Sequence, residues 1–164
     1  MRWATWIATA GGIGYFPVFP GTVGSGIGLL LFIVLRHLST PLYLFLLLVL
    51  FGLGVYTSSL SEGVFQKKDA GCIIIDEIHA MLLVPFLLPP APTWWIAGFV
   101  VFRFFDIKKP PPIRRFEKMP KGWGVMMDDL IAALYTVVSL RLIEGMIALA
   151  LVMFSSLGGG SVLG

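Results

Sequence analysis

The carboxylates that could do chemistry fall in three short groups beside apolar segments. Five of the nine acidic residues belong to these groups: Asp76, Glu77, Asp106, Asp128 and Asp129. Carboxylates brought together repel one another unless a cation or protons intervene. Hard oxygen ligands of this kind suit Mg²⁺, which usually keeps some waters and also binds substrate phosphate. The pattern therefore indicates metal-assisted chemistry on a phosphate group, with Mg²⁺ as the expected cofactor.

A short basic stretch carries the matching charge. Six of the twelve Lys and Arg residues lie between positions 108 and 121, among them Lys109 and Arg114. Arg can grip phosphate oxygens with two parallel hydrogen bonds, and Lys supplies a point charge. Anchoring to anionic lipid headgroups is the alternative role for this stretch. Arg103 stands three residues before Asp106 on the same predicted helix, so the two can also simply pair.

A glycine-rich turn precedes the first apolar segment. Residues 19–26 read Phe-Pro-Gly-Thr-Val-Gly-Ser-Gly. Free backbone N–H groups at such a helix start, together with the Thr22 hydroxyl, can receive an anion. The turn lacks the Lys of a nucleotide-binding loop, and its glycines can equally serve close helix packing.

The elements that position these groups are apolar enough for a bilayer. The chain is 57% hydrophobic and 13% charged, whereas soluble domains carry roughly 25% charged residues. Such a chain is expected to contact membrane lipids and not nucleic acid. Five apolar segments are visible: Gly21–Leu35, Leu42–Leu60, Ile73–Leu88, Trp94–Ile107 and one starting near Val125. We therefore predict an all-α, polytopic membrane helix bundle with about four to five membrane helices.

Basic loops predict the orientation of these segments. Short loops rich in Lys and Arg stay cytoplasmic, which places the loop at 108–121 inside the cell. Counting outward, the loop with Lys67 and Lys68 also falls inside. This orientation, derived without the acidic residues, brings all three carboxylate groups to the cytoplasmic level. We therefore expect the active site at the cytoplasmic face.

Neighbouring acidic residues are expected to divide their tasks. Successive residues on a helix point about 100° apart. In Asp76-Glu77 and in Asp128-Asp129 we therefore expect one member to bind metal. The other would orient a water, a Lys or a neighbouring helix.

The last apolar stretch is interrupted by Arg141 and Glu144. The two could pair within a long span or mark the end of a short fifth helix, and the second interpretation is favoured. We predict a single membrane-embedded domain over residues 1–157 and a flexible C-terminal tail over 158–164.

Four islands of sequence, in order, are similar to the phosphatidylglycerophosphatase A family. The resemblance covers roughly Gly11 to Tyr135. The islands are Phe19-Pro20-Gly21-Thr22-Val23-Gly24-Ser25; Ile75-Asp76-Glu77; Phe102-Arg103-Phe104-Phe105-Asp106 running through Lys109-Pro110 to Pro112-Ile113-Arg114; and Gly122-Trp123-Gly124-Val125-Met126-Met127-Asp128-Asp129. The chain departs from the family pattern at His79-Ala80, and at Lys121, where a glycine is common.

The resemblance implies a multi-pass enzyme of the bacterial inner membrane, with its site facing the cytoplasm. Such an enzyme uses Mg²⁺ to remove the terminal phosphate of phosphatidylglycerophosphate, giving phosphatidylglycerol and inorganic phosphate in phospholipid biosynthesis. By resemblance, the metal ligands are Asp76, Glu77, Asp106, Asp128 and Asp129. The implied catalytic residues are Asp76, Asp106, Asp129 and Arg103, and the implied phosphate-binding residues are Thr22, Arg103, Lys109 and Arg114.

Some alternatives stay open at this point. Either a water or one Asp could attack the phosphorus atom. His79, three residues after Asp76, is a weaker candidate for a general base because it lies outside the motif. An ion transporter or channel with a carboxylate cluster is the rival from another functional class. The sequence does not give the oligomeric state.

Overall fold

The computed structural model describes residues 2–67 and 70–158, and all regular structure in these ranges is helical. In chain order the elements are α1 (Arg2–Ala8), a short 3₁₀ helix (Ile13–Tyr15), α2 (Pro20–Leu35), α3 (Thr40–Phe65), α4 (Ile75–Leu87), α5 (Pro92–Lys108), α6 (Ile113–Phe116) and α7 (Gly122–Gly158). The all-α prediction is confirmed. Lys68 and residues 159–164 of the predicted tail lie outside the described residues.

Prolines fix where three of the long helices begin. α2, α3 and α5 each carry a Pro in the first turn, at Pro20, Pro41 and Pro92. A proline in the first turn loses no helical hydrogen bond, because backbone N–H groups at that position have no acceptor within the helix. The Pro-rich link between α4 and α5 ends the first helix, and α5 folds back into contact with α4.

Helix α4 forms the centre of the bundle. Nine of its thirteen residues are buried, and it packs against α2, α3, α5 and α7. The approach of α2 is close because Gly28 faces α4: a Cβ atom there would lie 2.8 Å from the Cβ of Met81. The carboxylates at the start of α4 therefore lie on a helix that packs against both α5 and α7, which carry the other three candidate carboxylates.

The outer surface of the bundle is apolar. α3 and the range Gly122–Ser156 of α7 are long and apolar enough to cross a membrane, and α2 is a shorter apolar helix. Large side chains point outward from them, with exposed fractions of 70% at Leu48 and 71% at Met146. Soluble proteins rarely expose contiguous apolar surface on this scale. These features, with the composition, are those of a membrane protein.

The last helix corrects one prediction. α7 runs unbroken for 37 residues, so the interpretation that Arg141 and Glu144 end a short helix is wrong. The two side chains instead pair at 2.9 Å within the helix. Pairs three residues apart lie on one helix face and support the helix rather than interrupt it. The five predicted apolar segments correspond to α2, α3, α4, α5 and α7, whereas the short α1 and α6 were not predicted.

Candidate active site

Three helices bring the predicted carboxylates together. Asp76 and Glu77 lie in the first turn of α4, Asp106 lies near the end of α5 and is buried, and Asp128 and Asp129 lie early in α7. α7 packs on both α4 and α5. Asp76, Asp106 and Asp128 are all near enough to Asp129 to act on it electrostatically. One region of the bundle therefore holds all five.

Three of these carboxylates form a compact group, called here the carboxylate triad. Asp76, Glu77 and Asp129 each offer one oxygen, and these oxygens all lie within 4.8 Å of one another. Asp76 is 6% and Asp129 is 3% exposed. Within the described residues, Glu77 Oε2 and Asp129 Oδ2 are buried and accept no hydrogen bond. Buried carboxylate oxygens without hydrogen bonds are costly, and this donor set fits a hard divalent cation such as Mg²⁺.

The other two carboxylates are paired with cations. Asp106 Oδ2 accepts a hydrogen bond from Arg103 Nη1 at 2.6 Å, and Asp128 Oδ2 accepts one from Lys109 Nζ at 2.5 Å. Lys109 caps the C-terminus of α5 in a left-handed conformation with φ of 41°. The chain turns there, and the Lys109 ammonium meets α7 rather than continuing along α5.

The structure treats the two neighbouring pairs differently. In Asp128-Asp129, Asp128 contacts Lys109 and Asp129 belongs to the triad. In Asp76-Glu77, both residues offer an oxygen to the triad. A flexible Glu side chain, longer by one methylene, can reach back across the 100° that separates adjacent positions. Which member of each pair binds metal stays a prediction.

Arg103 connects the triad to α2. Its Nη1 lies 3.9 Å from Glu77 Oε1 and 3.5 Å from Ser25 Oγ, to which it donates. Ser25 in turn donates to the carbonyl oxygen of Gly21 at 2.9 Å. A Cβ on Gly21 would collide with Glu77 Oε1 and lie 3.0 Å from Arg103 Nη1. The glycine therefore allows α2 to pack directly against the Arg103–Glu77 pair.

Sequence reasoning did not single out Ser25 as a site residue. The signal lay in its spacing: Ser25 follows Gly21 by one helical turn, and it is fully buried. A buried hydroxyl needs a hydrogen-bond partner. Ser25 lies on α2 close to Thr22, so that partner could be expected among the charged residues of the site.

Two predicted phosphate-binding residues stay at the surface. Thr22 on α2 and Arg114 on α6 are exposed. Across residues 2–67 and 70–158, neither side chain forms a hydrogen bond or ion pair with the triad. Of the four predicted phosphate-binding residues, Arg103 and Lys109 therefore contact the carboxylates. Within the described residues, Thr22 and Arg114 do not.

Two departures from the family pattern also have structural positions. His79 is 4% exposed and packs against the ring of Phe51, with centroids 5.4 Å apart. Lys121 has φ of 54°, a left-handed conformation that glycine adopts more easily. The glycine common at this position in the family is therefore explained by the backbone turn before α7.

Comparison with known proteins decides the family. A sequence model of phosphatidylglycerophosphatase A matches residues 6–144. The chain belongs to the phosphatidylglycerophosphatase A family. The match covers every candidate site residue and ends within α7 at Glu144, beside Arg141.

Curated relatives agree with this membership. A phosphatidylglycerophosphatase A of Haemophilus influenzae is 38% identical over 135 residues, which cover 80% of this chain and 83% of the relative. One of Escherichia coli is 34% identical over 128 residues, covering 77% of this chain and 74% of the relative. A protein of Bacteroides thetaiotaomicron, provisionally named a phosphatidylinositol-3-phosphatase, is 33% identical over 139 residues, covering 79% and 86%. No solved structure matches the chain. As a member of this family, the protein is an enzyme of the lipid phosphatase class.

Proposed function

We propose that this enzyme removes the terminal phosphate of phosphatidylglycerophosphate in a Mg²⁺-dependent hydrolysis, giving phosphatidylglycerol and inorganic phosphate. Two relatives carry that activity in their names. The observation that supports it best is the carboxylate triad, with Arg103 beside it and Lys109 in the adjoining ion pair. A phosphate monoester needs both its charge neutralised and a nucleophile in place, and this region offers groups for each.

The triad supplies the proposed metal ligands. Asp76, Glu77 and Asp129 would hold Mg²⁺. Among the described residues, Glu77 Oε2 and Asp129 Oδ2 are buried and accept no hydrogen bond, which supports this assignment. Bound there, Mg²⁺ would neutralise phosphate charge and favour an attacking hydroxide. Asp106 and Asp128, paired with Arg103 and Lys109, would hold those cations in place and join the metal site at its edge.

The cations would bind the phosphoryl oxygens. The Arg103 side chain is 15% exposed, and Asp106 fixes its orientation through a short hydrogen bond. Charge spreads over the phosphoryl oxygens in the transition state, so a fixed guanidinium stabilises it more than the ground state. Thr22 and Arg114 would close on the headgroup from the surface, where both are exposed.

Two routes lead to attack on the phosphorus atom. In the first, a water attacks the phosphorus atom while a carboxylate of the triad accepts its proton; in the second, an Asp attacks and forms a phosphoryl-enzyme. Rapid-quench experiments with substrate labelled in its terminal phosphate separate them. Label that stays covalently on the protein identifies the second route, and its absence during turnover identifies the first.

The activity is tested by phosphate release from phosphatidylglycerophosphate in detergent micelles, with Mg²⁺ or with excess chelator. Wild type should need Mg²⁺, and Asp129→Asn should lose about 100-fold or more, since even outer-shell changes at metal sites cost roughly 10- to 100-fold. Glu144→Gln is the matched control, because Glu144 pairs with Arg141 and lies outside the triad. Folded, Mg²⁺-loaded wild type that releases no phosphate would refute the proposal.

The substrate is tested in parallel with phosphatidylinositol-3-phosphate, which the name of the third relative suggests. We expect faster hydrolysis of phosphatidylglycerophosphate. A reversed preference would move the protein to another substrate within the same chemistry.

For topology we propose one membrane-embedded domain over residues 1–157, with four to five crossings of the bacterial inner membrane and the site facing the cytoplasm. The basic stretch around the site supports this orientation. In a Cys72→Ser background, Lys118→Cys should react with an impermeant maleimide only after the cells are opened, and Thr93→Cys should react in intact cells. The opposite pattern would invert the topology.

Ion transport is no longer favoured. The chain belongs to a phosphatase family, and the carboxylates gather in one region instead of lining a path across the bundle. In the described residues of α2, α3 and α5, the acidic positions lie toward the helix ends, at Glu62 and Asp106.

A further inference from the structure

An apolar crevice lies between α2 and α5 on the outer flank of the bundle. Its volume is about 330 Å³, and its lining is wholly apolar: Gly26, Leu29, Leu30, Ile96 and Phe99. The crevice opens toward the surroundings, because Leu30 is 66% and Ile96 is 62% exposed. A Cβ added at Gly26 would meet no other atom within 4 Å. The glycine therefore keeps this space free.

The crevice begins close, along both helices, to residues of the candidate active site. On α2, Gly26 follows Ser25, whose hydroxyl accepts a hydrogen bond from Arg103. On α5, Phe99 precedes Arg103 by four residues, about 6 Å along a helix. Ile96 lies about 10 Å from the Arg103 level by the same rise. The crevice thus runs along α2 and α5 away from the guanidinium, into the apolar part of the bundle.

This arrangement matches the two halves of a phospholipid. Arg103 and the carboxylate triad stand at one end, and hydrocarbon-lined space extends from them. We propose that the crevice between α2 and α5 binds an acyl chain of the lipid substrate and admits the substrate sideways from the membrane. The proposal rests on the proposed function, since it assigns the apolar part of that same substrate.

The phosphate of the headgroup would bind Arg103. One acyl chain would pack against the apolar walls of the crevice in place of other lipids. The headgroup end alone would also accept a soluble phosphate monoester. Chain length therefore separates the crevice from the chemistry: the crevice should matter for a long-chain lipid and not for a short-chain one.

The test compares dipalmitoyl and dibutyryl forms of phosphatidylglycerophosphate, at fixed detergent, for wild type and Gly26→Phe. The new ring should fill the crevice and raise KM for the dipalmitoyl lipid about tenfold or more, because the acyl chain then loses its van der Waals packing against the crevice walls. The kcat/KM for the dibutyryl lipid should stay within about twofold. Gly52→Phe is the matched control, because Gly52 lies on α3 and also faces open space.

The outcomes separate this proposal from the proposed function. Wild type that hydrolyses neither lipid refutes the function itself. Wild type that hydrolyses both, with Gly26→Phe unchanged on the dipalmitoyl lipid, refutes the crevice. Should Gly26→Phe lose both activities, Ile96→Trp decides by the same comparison from the opposite wall. An equal loss in Gly52→Phe would also count against the crevice.

Discussion

Arg103 is held from three sides, and this fixes how the site can be changed residue by residue. Asp106 is on its own helix, Ser25 is on α2 and Glu77 is on α4. A long side chain in water samples many rotamers, and ordering it costs up to about 2 kcal/mol. Here that cost is met during folding, so the guanidinium is already placed when a phosphate arrives.

Gly21 tests this fixed arrangement. Gly21→Ala should push Glu77 and Arg103 apart, because a Cβ there collides with Glu77 Oε1. We expect kcat/KM for the dibutyryl lipid to fall about tenfold to a hundredfold, as small misplacements of catalytic groups do. The control is Gly26→Ala on the same helix, whose Cβ meets nothing within 4 Å. Equal activity in the two variants would show that the close packing at Gly21 has no catalytic effect.

The Lys109–Asp128 pair makes a separate prediction about stability. Asp128 has a side chain only 2% exposed, against 20% for Lys109. Lys109→Met removes this cation from a buried carboxylate and should cost about 2–4 kcal/mol of unfolding free energy. Asp128→Asn combined with Lys109→Met should recover part of that loss, because the two residues are coupled. Thermal unfolding in detergent with chelator measures it; purely additive effects would contradict the pairing.

At the scale of elements, one contact ties the end of α4 to α7. Arg141 donates to the carbonyl oxygen of Leu87 from Nε at 2.9 Å and from Nη2 at 2.5 Å. The last carbonyls of a helix have no partner within the helix. Arg141 thus caps α4 from a neighbouring element, at the opposite end of α4 from its carboxylates.

Removing this cap should loosen the bundle without touching the chemistry. Arg141→Gln should lower the thermal unfolding midpoint by about 2–4 °C, corresponding to about 1 kcal/mol. Glu144→Gln is the natural comparison, because it removes only the Arg141–Glu144 ion pair and leaves the bonds to Leu87. If both variants unfold at the same temperature, the bonds to Leu87 add nothing to stability.

Apolar length and proline positions were enough to predict α2 to α5 and the start of α7 from the sequence. The short α1 and α6 were missed, because seven and four residues are too few for a hydrophobic pattern. The gathering of the acidic groups followed from the basic loops. The sequence did not predict which carboxylates form ion pairs. The left-handed turn at Lys109 and the packing of α5 against α7 decide which carboxylate contacts a cation, and neither can be read from local sequence.

At the scale of the whole molecule, α7 is longer than any membrane needs. Its 37 residues span about 55 Å, whereas the hydrocarbon of a bilayer is about 30 Å thick. Among the described side chains of α7, Leu140 is the last that is buried, and the exposed fraction reaches 79% at Phe154. The family match also ends at residue 144. Between residues 141 and 156, the second half of α7 therefore contributes no buried side chain to the bundle.

A chain ending at Gly145 should keep its activity. This shorter chain retains the triad, Arg103, Lys109 and the Arg141 cap. We therefore expect its kcat to lie within about threefold of wild type, measured as phosphate release in detergent micelles. A chain ending at Ser139 provides the contrast, because it also loses Arg141 and should be less stable. An inactive but folded chain ending at Gly145 would assign a role to the second half of α7.

The helices on either side of the crevice are short. α2 has 16 residues and α5 has 17, or about 24 and 26 Å of helix, less than the hydrocarbon they face in the proposed orientation. A bilayer adapts to such a mismatch by thinning locally, at an elastic cost that rises with its thickness. Thinning lowers the headgroup plane toward Arg103. In the proposed orientation, thin membranes would therefore bring the substrate headgroup to Arg103 more readily than thick membranes.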